Sequence, residues 1–182
     1  DDLTNLSELS TTAKAQGVNL DVLVEIDVGS GRCGVRYSQD AVTLARAIDQ
    51  SEYLNFAGLQ AYHGGAQHIR EHSERRAAIL SAAEKVRATK AALEGSGLTC
   101  DKVSGAGTGS FEFEGETGTW NELQCGSYAF MDADYGRNLM EDGSYFKTFE
   151  HSLFVLATVM SRPEGGLAVI DAGLKAIAVD SG

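Results

Sequence analysis

Two rhythms of apolar and polar residues alternate along the chain. "TNLSELSTTAKAQG" has helical spacing and predicts a helix that stops at Gly17, glycine being the usual stop residue. "LDVLVEIDV" is a continuous apolar run, which predicts a strand buried on both faces. "SQDAVTLARAIDQS" returns to helical spacing after a Ser/Asp start. "LNFAGLQAYHG" predicts a second strand, ending at Gly64-Gly65. "SERRAAILSAAEKVRATKAALEGSG" predicts a long amphipathic helix stopped by Gly95 and Gly97. "CDKVSGAGTGS" predicts a short strand running into a glycine turn with no clear helix after it, and "TWNELQCGSYAFMDADYG" predicts further strand.

Strands alternating with helices imply parallel strands joined by crossover helices. Both a doubly wound sheet and a (β/α)8 barrel fit that order. Small and polar residues cluster after each strand, where barrels build their sites. A doubly wound fold would be expected to carry GxGxxG at the opening of a helix, and "GAGTG" is not that pattern. The expected fold class is α/β: the C-terminal part of a (β/α)8 TIM-type barrel over residues 1–137. From about residue 138 the rhythm changes. "FKTFEHSLFVLATVMSRP", "GGLAVIDAG" and "LKAIAVDSG" predict consecutive strands, the start of an all-β domain over 138–182.

Composition narrows the partners. The formal net charge is -11, which argues against nucleic acid, whose phosphates need a basic surface. A small anion needs only a few local donors and stays compatible. The longest apolar run, "LFVLATVM", is far short of the roughly 20 residues of a membrane helix, and no signal peptide is read. The three cysteines, Cys33, Cys100 and Cys125, form no CxxC pattern, so a reducing cytoplasm is expected. The chain opens at Asp1 and closes at "DSG", and a piece of a longer protein is expected. A barrel cut in this way exposes strand edges, which predicts poor independent stability.

Three glycine turns carry the candidate chemistry. "SGAGTGS" offers closely spaced peptide N–H groups with the hydroxyls of Ser104, Thr108 and Ser110, which suits a phosphate; a plain flexible turn is the alternative. "CGSYAF" has the same character at Gly126 and Ser127, and turns on successive barrel strands lie side by side. "GSGRCGV" holds Arg32 at a strand mouth, where its planar fork could meet an anionic oxygen or pair with a surface carboxylate. His63 ends another strand and could touch a ring or serve only structure. His68 and His72 are spaced to clasp a metal on a helix, but the remainder of an HExxH site is missing, and no metal ligand is assigned. There is no GxSxG elbow and no carboxylate pair that stands out.

Taken in order, "VEIDVGSGRCGV", "GLQAYHGG", "VSGAGTGS" and "ELQCGSYAFMDADYG" resemble the alanine racemase-like (fold type III) family of pyridoxal-phosphate enzymes. The likeness is to its branch of D-threonine aldolases, 3-hydroxy-D-aspartate aldolases and D-serine dehydratases. "VIDAGLKAIAVDSG" resembles that branch's β-domain, and "FMDADYGRN" leans toward the hydroxyaspartate aldolases. The resemblance implies pyridoxal 5'-phosphate as cofactor. It implies Arg32 near the phenolic oxygen, Thr108 with Gly126 and Ser127 at the phosphate, Tyr135 reaching the cofactor, and His63 on its ring side. Gln124 falls where racemases carry an arginine against the pyridine nitrogen. The family's Schiff-base lysine is not found here, so the catalytic residue is expected outside this chain. A divalent metal (Mg, Mn or Zn) is expected with ligands beyond Gly182. The implied activity is retro-aldol cleavage of a 3-hydroxy-D-amino acid such as 3-hydroxy-D-aspartate or D-threonine, by a cytoplasmic homodimer. The alternatives are a dehydratase, a racemase (which Gln124 disfavours), a pyridoxal-phosphate homeostasis protein without catalysis, and a phosphosugar-binding barrel.

Overall fold

The computed structural model describes residues 1–177. Helix α1 (Leu3–Gln16) starts where the Asp2 carboxylate accepts from the N–H groups of Thr4 and Asn5, and it ends at Gly17 with φ 64°. Strand β1 (Leu20–Glu25), helix α2 (Ser38–Asp49), strand β2 (Leu54–Ala61), helix α3 (His72–Gly95) and strand β3 (Lys102–Gly105) follow the predicted order. Helix α4 (Phe111–Thr117) and strand β4 (Glu122–Leu123) complete the first sheet's connections, and strands β5 (Val159–Ser161) and β6 (Val169–Ile170) form a second.

The first sheet runs β1-β2-β3-β4, and all three pairings are parallel. Each strand therefore lies beside the next one in sequence, as around a barrel wall. A doubly wound sheet would reverse its order at a switch point. This arc is the expected part of a (β/α) barrel. The core lies between the sheet and its helices. Ala41, Val42, Leu44, Ala45 and Ile48 of α2 and Ile79, Ala82, Ala83, Val86 and Leu93 of α3 are buried against Val24, Leu59 and Val103. Their helical spacing is what the sequence displayed.

Four expectations need correction. First, β1 is not buried on both faces: Leu20 and Asp21 are exposed, because β1 pairs only with β2. Second, a helix does follow the glycine turn. "FEFEGET" alternates like a strand, yet it forms α4, with Phe113 and Glu114 turned inward. Tertiary packing overrides the local period there. Third, "TWNELQCGSYAFMDADYG" is mostly not strand. It contributes two strand residues, then short 3-10 turns at Ser127–Ala129 and Tyr135–Arg137. Fourth, the late strands are shorter than predicted. β5 and β6 pair antiparallel, while Gly173 to Ile177 form a turn and the rest of "LKAIAVDSG" lies outside the described residues.

Gly58 shows why β2 needs a glycine in its interior. The β1–β2 register shifts between Val22 and Leu23, and Gly58 sits opposite with φ 135°. A Cβ there would run into the Lys102 carbonyl of β3.

Candidate functional site

The loops that leave the C-terminal ends of these strands converge. Arg32, Gln60, Tyr62, Gly107, Thr108, Gln124, Gly126, Ser127 and Tyr135 line one pocket of about 330 Å³. Five of the six residues singled out from the sequence, Arg32, Thr108, Gly126, Ser127 and Tyr135, thus meet in one place, with Gln124 beside them.

Local bonds explain the meeting. The Arg32 loop is an Asp27-centred hook: the Asp27 carboxylate accepts from Gly29 and Gly31 N–H, each at 3.0 Å. Those bonds, from Gly31 first, hold its pKa below the ordinary value against the opposing effect of burial. Ser30 ties the hook to the end of β2, donating to the Tyr62 carbonyl at 3.2 Å and accepting from Gly64 N–H at 2.7 Å. Arg32 itself reaches Glu25 at 3.8 Å and lies 5.6 Å from the centre of the Tyr62 ring. Its side chain is 61% exposed, so that ion pair is weak and the guanidinium is free to meet a ligand.

The second and third turns are clasped together. Tyr128 N–H donates to Thr108 Oγ1 at 3.0 Å, and Gln124 N–H donates to the Gly105 carbonyl at 2.7 Å. Beneath them lies Gln67, fully buried. It accepts from Gly109 N–H at 3.0 Å, and its amide donates to Ser110 Oγ at 2.6 Å. Gly107 rests on the same side chain: a Cβ would come within 2.5 Å of Gln67 Oε1. The glycines therefore let the loop lie flat on an amide, with Thr108 facing the pocket.

Burial pushes both the Tyr62 and the Tyr135 phenols above their ordinary pKa. Both stay protonated at neutral pH and can donate to an anion. Gln60 donates to Gln124 Oε1 at 2.7 Å, which leaves the Gln124 amide as a neutral polar wall. Arg32 is the one cation lining the pocket.

His63 is not brought to this pocket. Its ring packs against Gly29, and Nδ1 accepts from Ala66 N–H at 3.3 Å. Burial lowers its pKa, with Lys85 adding to that effect, so it is neutral at neutral pH. His68 and His72 do not share a helix. His68 ends a 3-10 turn and bonds Asp134, while His72 opens α3 with its ring edge toward Phe113. Among the described residues no group of three or more His, Cys, Asp or Glu is placed to hold a metal ion. Sequence reasoning missed Tyr62, Gln60 and Gln67; the first two stand in "GLQAYHG" one strand-turn before His63, and their position at a strand end was the available signal.

Glu114 gives a pH-dependent expectation. It is buried, Ser110 donates to Oε1 at 2.8 Å, and Oε2 has no partner. Burial pushes its pKa up from 4.5 to about 7, against the lowering effect of the Ser110 bond. The folded carboxyl keeps a proton that the unfolded one releases, so stability falls as pH rises between those two values. At ~1.4 kcal/mol per unit, about 3 kcal/mol is lost by the upper end. Relative to the parent, Glu114→Gln is expected to be near neutral at pH about 5 and stabilising by about 3 kcal/mol at pH about 8. Denaturant unfolding at the two values checks this, and a pH-independent difference contradicts it.

The description "Alanine racemase, N-terminal domain" matches residues 1–134, and the chain belongs to that family. Residues 152–182 match a "Putative serine dehydratase domain". The chain is 47% identical to a 3-hydroxy-D-aspartate aldolase of Paracoccus denitrificans (strain Pd 1222), a match over all of this chain and 48% of the relative. It is 49% identical to a D-threonine aldolase of an Arthrobacter species, over all of this chain and 47% of that protein. The crystal structure of D-threonine aldolase from Filomicrobium marinum superposes with a TM-score of 0.91 at 50% identity, covering all of this chain and 48% of that one. The chain thus spans about half the length of the curated relatives it matches.

Proposed function

We propose that the protein carrying this chain is a pyridoxal-phosphate-dependent lyase that cleaves 3-hydroxy-D-amino acids to glycine and an aldehyde. The observation that carries the reading is the pocket itself: two clasped small-residue turns and an arginine over a phenol line the same cavity. Such a cradle fits a phosphate joined to an aromatic ring. The larger cleft against α3 and α4, about 710 Å³, does not, because Glu71, Glu112, Glu116 and Glu141 line it. The aldolase relatives, near half identical along the whole chain, support the same reaction.

In this reading Thr108 and the peptides at Gly126 and Ser127 hold the phosphate. Arg32 would meet the phenolic oxygen, and the Tyr135 phenol would donate to the cofactor. Gln124 meets the ring nitrogen as a neutral amide, which leaves that nitrogen less firmly protonated than an arginine-imposed arrangement would. His63 acts from behind, by packing against the glycine that opens the Arg32 hook. When bound, pyridoxal phosphate supplies an electron sink for the pair left on Cα. In the cleavage the Cα–Cβ bond breaks, the 3-hydroxyl gives its proton to a base, and the carbinol carbon becomes the aldehyde. Cα then takes a proton to yield glycine. The pocket walls orient the substrate. In this reading the covalently bonding lysine lies outside this chain, and the divalent metal takes its ligands beyond Gly182. On the same reading the barrel part covers residues 1–137 and the β-domain begins at 138. The complete enzyme is a cytoplasmic homodimer.

The test uses the full-length protein. A violet-region absorbance that borohydride bleaches is expected, and D-threonine or 3-hydroxy-D-aspartate should give glycine with acetaldehyde or glyoxylate. Keto acid and ammonia in their place would mean a dehydratase, the reading favoured by the match over 152–182. No absorbance would remove the lyase reading altogether.

A further inference from the structure

Asp134 lies outside the pocket yet is bound to more basic groups than any other carboxylate described. It is buried, and it accepts from His68 Nδ1 at 2.6 Å and from the Arg70 guanidinium. Burial alone would raise its pKa, but the hydrogen bonds from Arg70 and His68 outweigh that and hold it below its ordinary value. Arg70 does more than neutralise. Its second nitrogen donates to the Asp134 carbonyl and to Asn138 Oδ1, both at 2.8 Å. Asn138 in turn donates to the Gln67 carbonyl at 2.9 Å, and Leu139 N–H donates to the Arg70 carbonyl at 2.9 Å. A planar fork that spans a carboxylate and a main-chain carbonyl fixes direction as well as distance.

Tyr135 stands in the middle of this lattice. It opens the 3-10 turn that Asp134 caps, and its ring lies 5.3 Å from the His68 ring at 33°. Its N–H is held by Asp132 at 2.8 Å. The residue before it and the ring beneath it therefore belong to one cluster, and the phenol projects from that cluster into the pocket.

We propose that Asp134, with Arg70 and His68, is a positioning unit that aims the Tyr135 phenol at the bound cofactor. This rests on the reading of the pocket as a pyridoxal-phosphate site. None of the three residues lines that pocket. Asp134 and His68 act through Tyr135, so their contribution to affinity exists only while the phenol is there; Arg70 has a second route, through Asn138 to Gln67 under the Thr108 turn.

The test is a double-variant cycle on pyridoxal-phosphate affinity, measured by titrating the stripped full-length protein. Asp134→Asn is expected to weaken binding about tenfold, one misaimed hydrogen bond to a charged group. Arg70→Lys keeps the charge pair and loses the fork, and it is expected to weaken binding in the same direction; it serves if Asp134→Asn does not fold. In a Tyr135→Phe background Asp134→Asn should add less than about twofold, and the Arg70→Lys penalty should shrink to the part exerted through Asn138 and Gln67. Penalties that multiply, or an Asp134→Asn protein with parental affinity, overturn the proposal while leaving the pocket reading standing. A parental protein that takes up no pyridoxal phosphate overturns both.

Discussion

Replacing Thr108 with leucine is expected to lower cofactor retention on the order of a hundredfold, through two hydrogen bonds of about 1–3 kcal/mol each. Thr108 is buried, and its hydroxyl oxygen accepts from Tyr128 N–H. Leucine orphans that N–H and opens the clasp between the two turns. It also removes the hydroxyl that the proposed site assigns to the phosphate. Overall stability should fall by less than the binding energy, because the turns lie at the rim of the sheet, not in its core. Equilibrium titration of the stripped full-length protein checks the loss. Unchanged retention would count against the phosphate assignment.

Gly58→Ala is expected to have the largest effect on folding, about 3–4 kcal/mol. A side chain at φ 135° is strained, and the atom it adds meets a rigid backbone carbonyl at Lys102. β2 is held on both sides, by β1 and by β3, so neither neighbour can move without breaking its ladder. The pocket should loosen as well, because the same β2–β3 pairing aligns Gln60 with Ser104 and Ala61 with Gly105. Denaturant unfolding of the full-length protein measures the cost. A change below about 1 kcal/mol would mean that the strands do not pair in this register.

Much of this architecture was legible in the chain. Gly17 stops α1, Gly95 lies in the last turn of α3, the β-branched run at 20–28 became β1 and the strand-like run from Leu54 became β2, because local signals set those elements. The pocket was legible for a related reason: parallel strands leave their loops at one end, so three glycine turns had to face each other. What sequence could not display is pairing at a distance. Arg70 and Asp134 stand 64 positions apart, and nothing in either neighbourhood announces the other. Gln67 read as one polar residue among many, and only folding shows the 107–110 turn resting on it. "FEFEGET" misled because its alternation is an accident of which side chains packing selects, Phe113 against the Arg75 guanidinium and Glu114 against Ser110. His68 and His72, to which no metal was assigned, turn out not to share a helix. Their spacing suits a helix face, but the helix begins only at His72.

The most direct test is an electron-density map of the full-length protein loaded with pyridoxal phosphate. The phosphate should lie within hydrogen-bonding reach of Thr108 Oγ1 and of the peptides at Gly126 and Ser127, with the Arg32 guanidinium on the ring's phenolic side. Density for the cofactor in the cleft beside α3 and α4, or anywhere that leaves Thr108 and Arg32 without contact to it, would contradict the site.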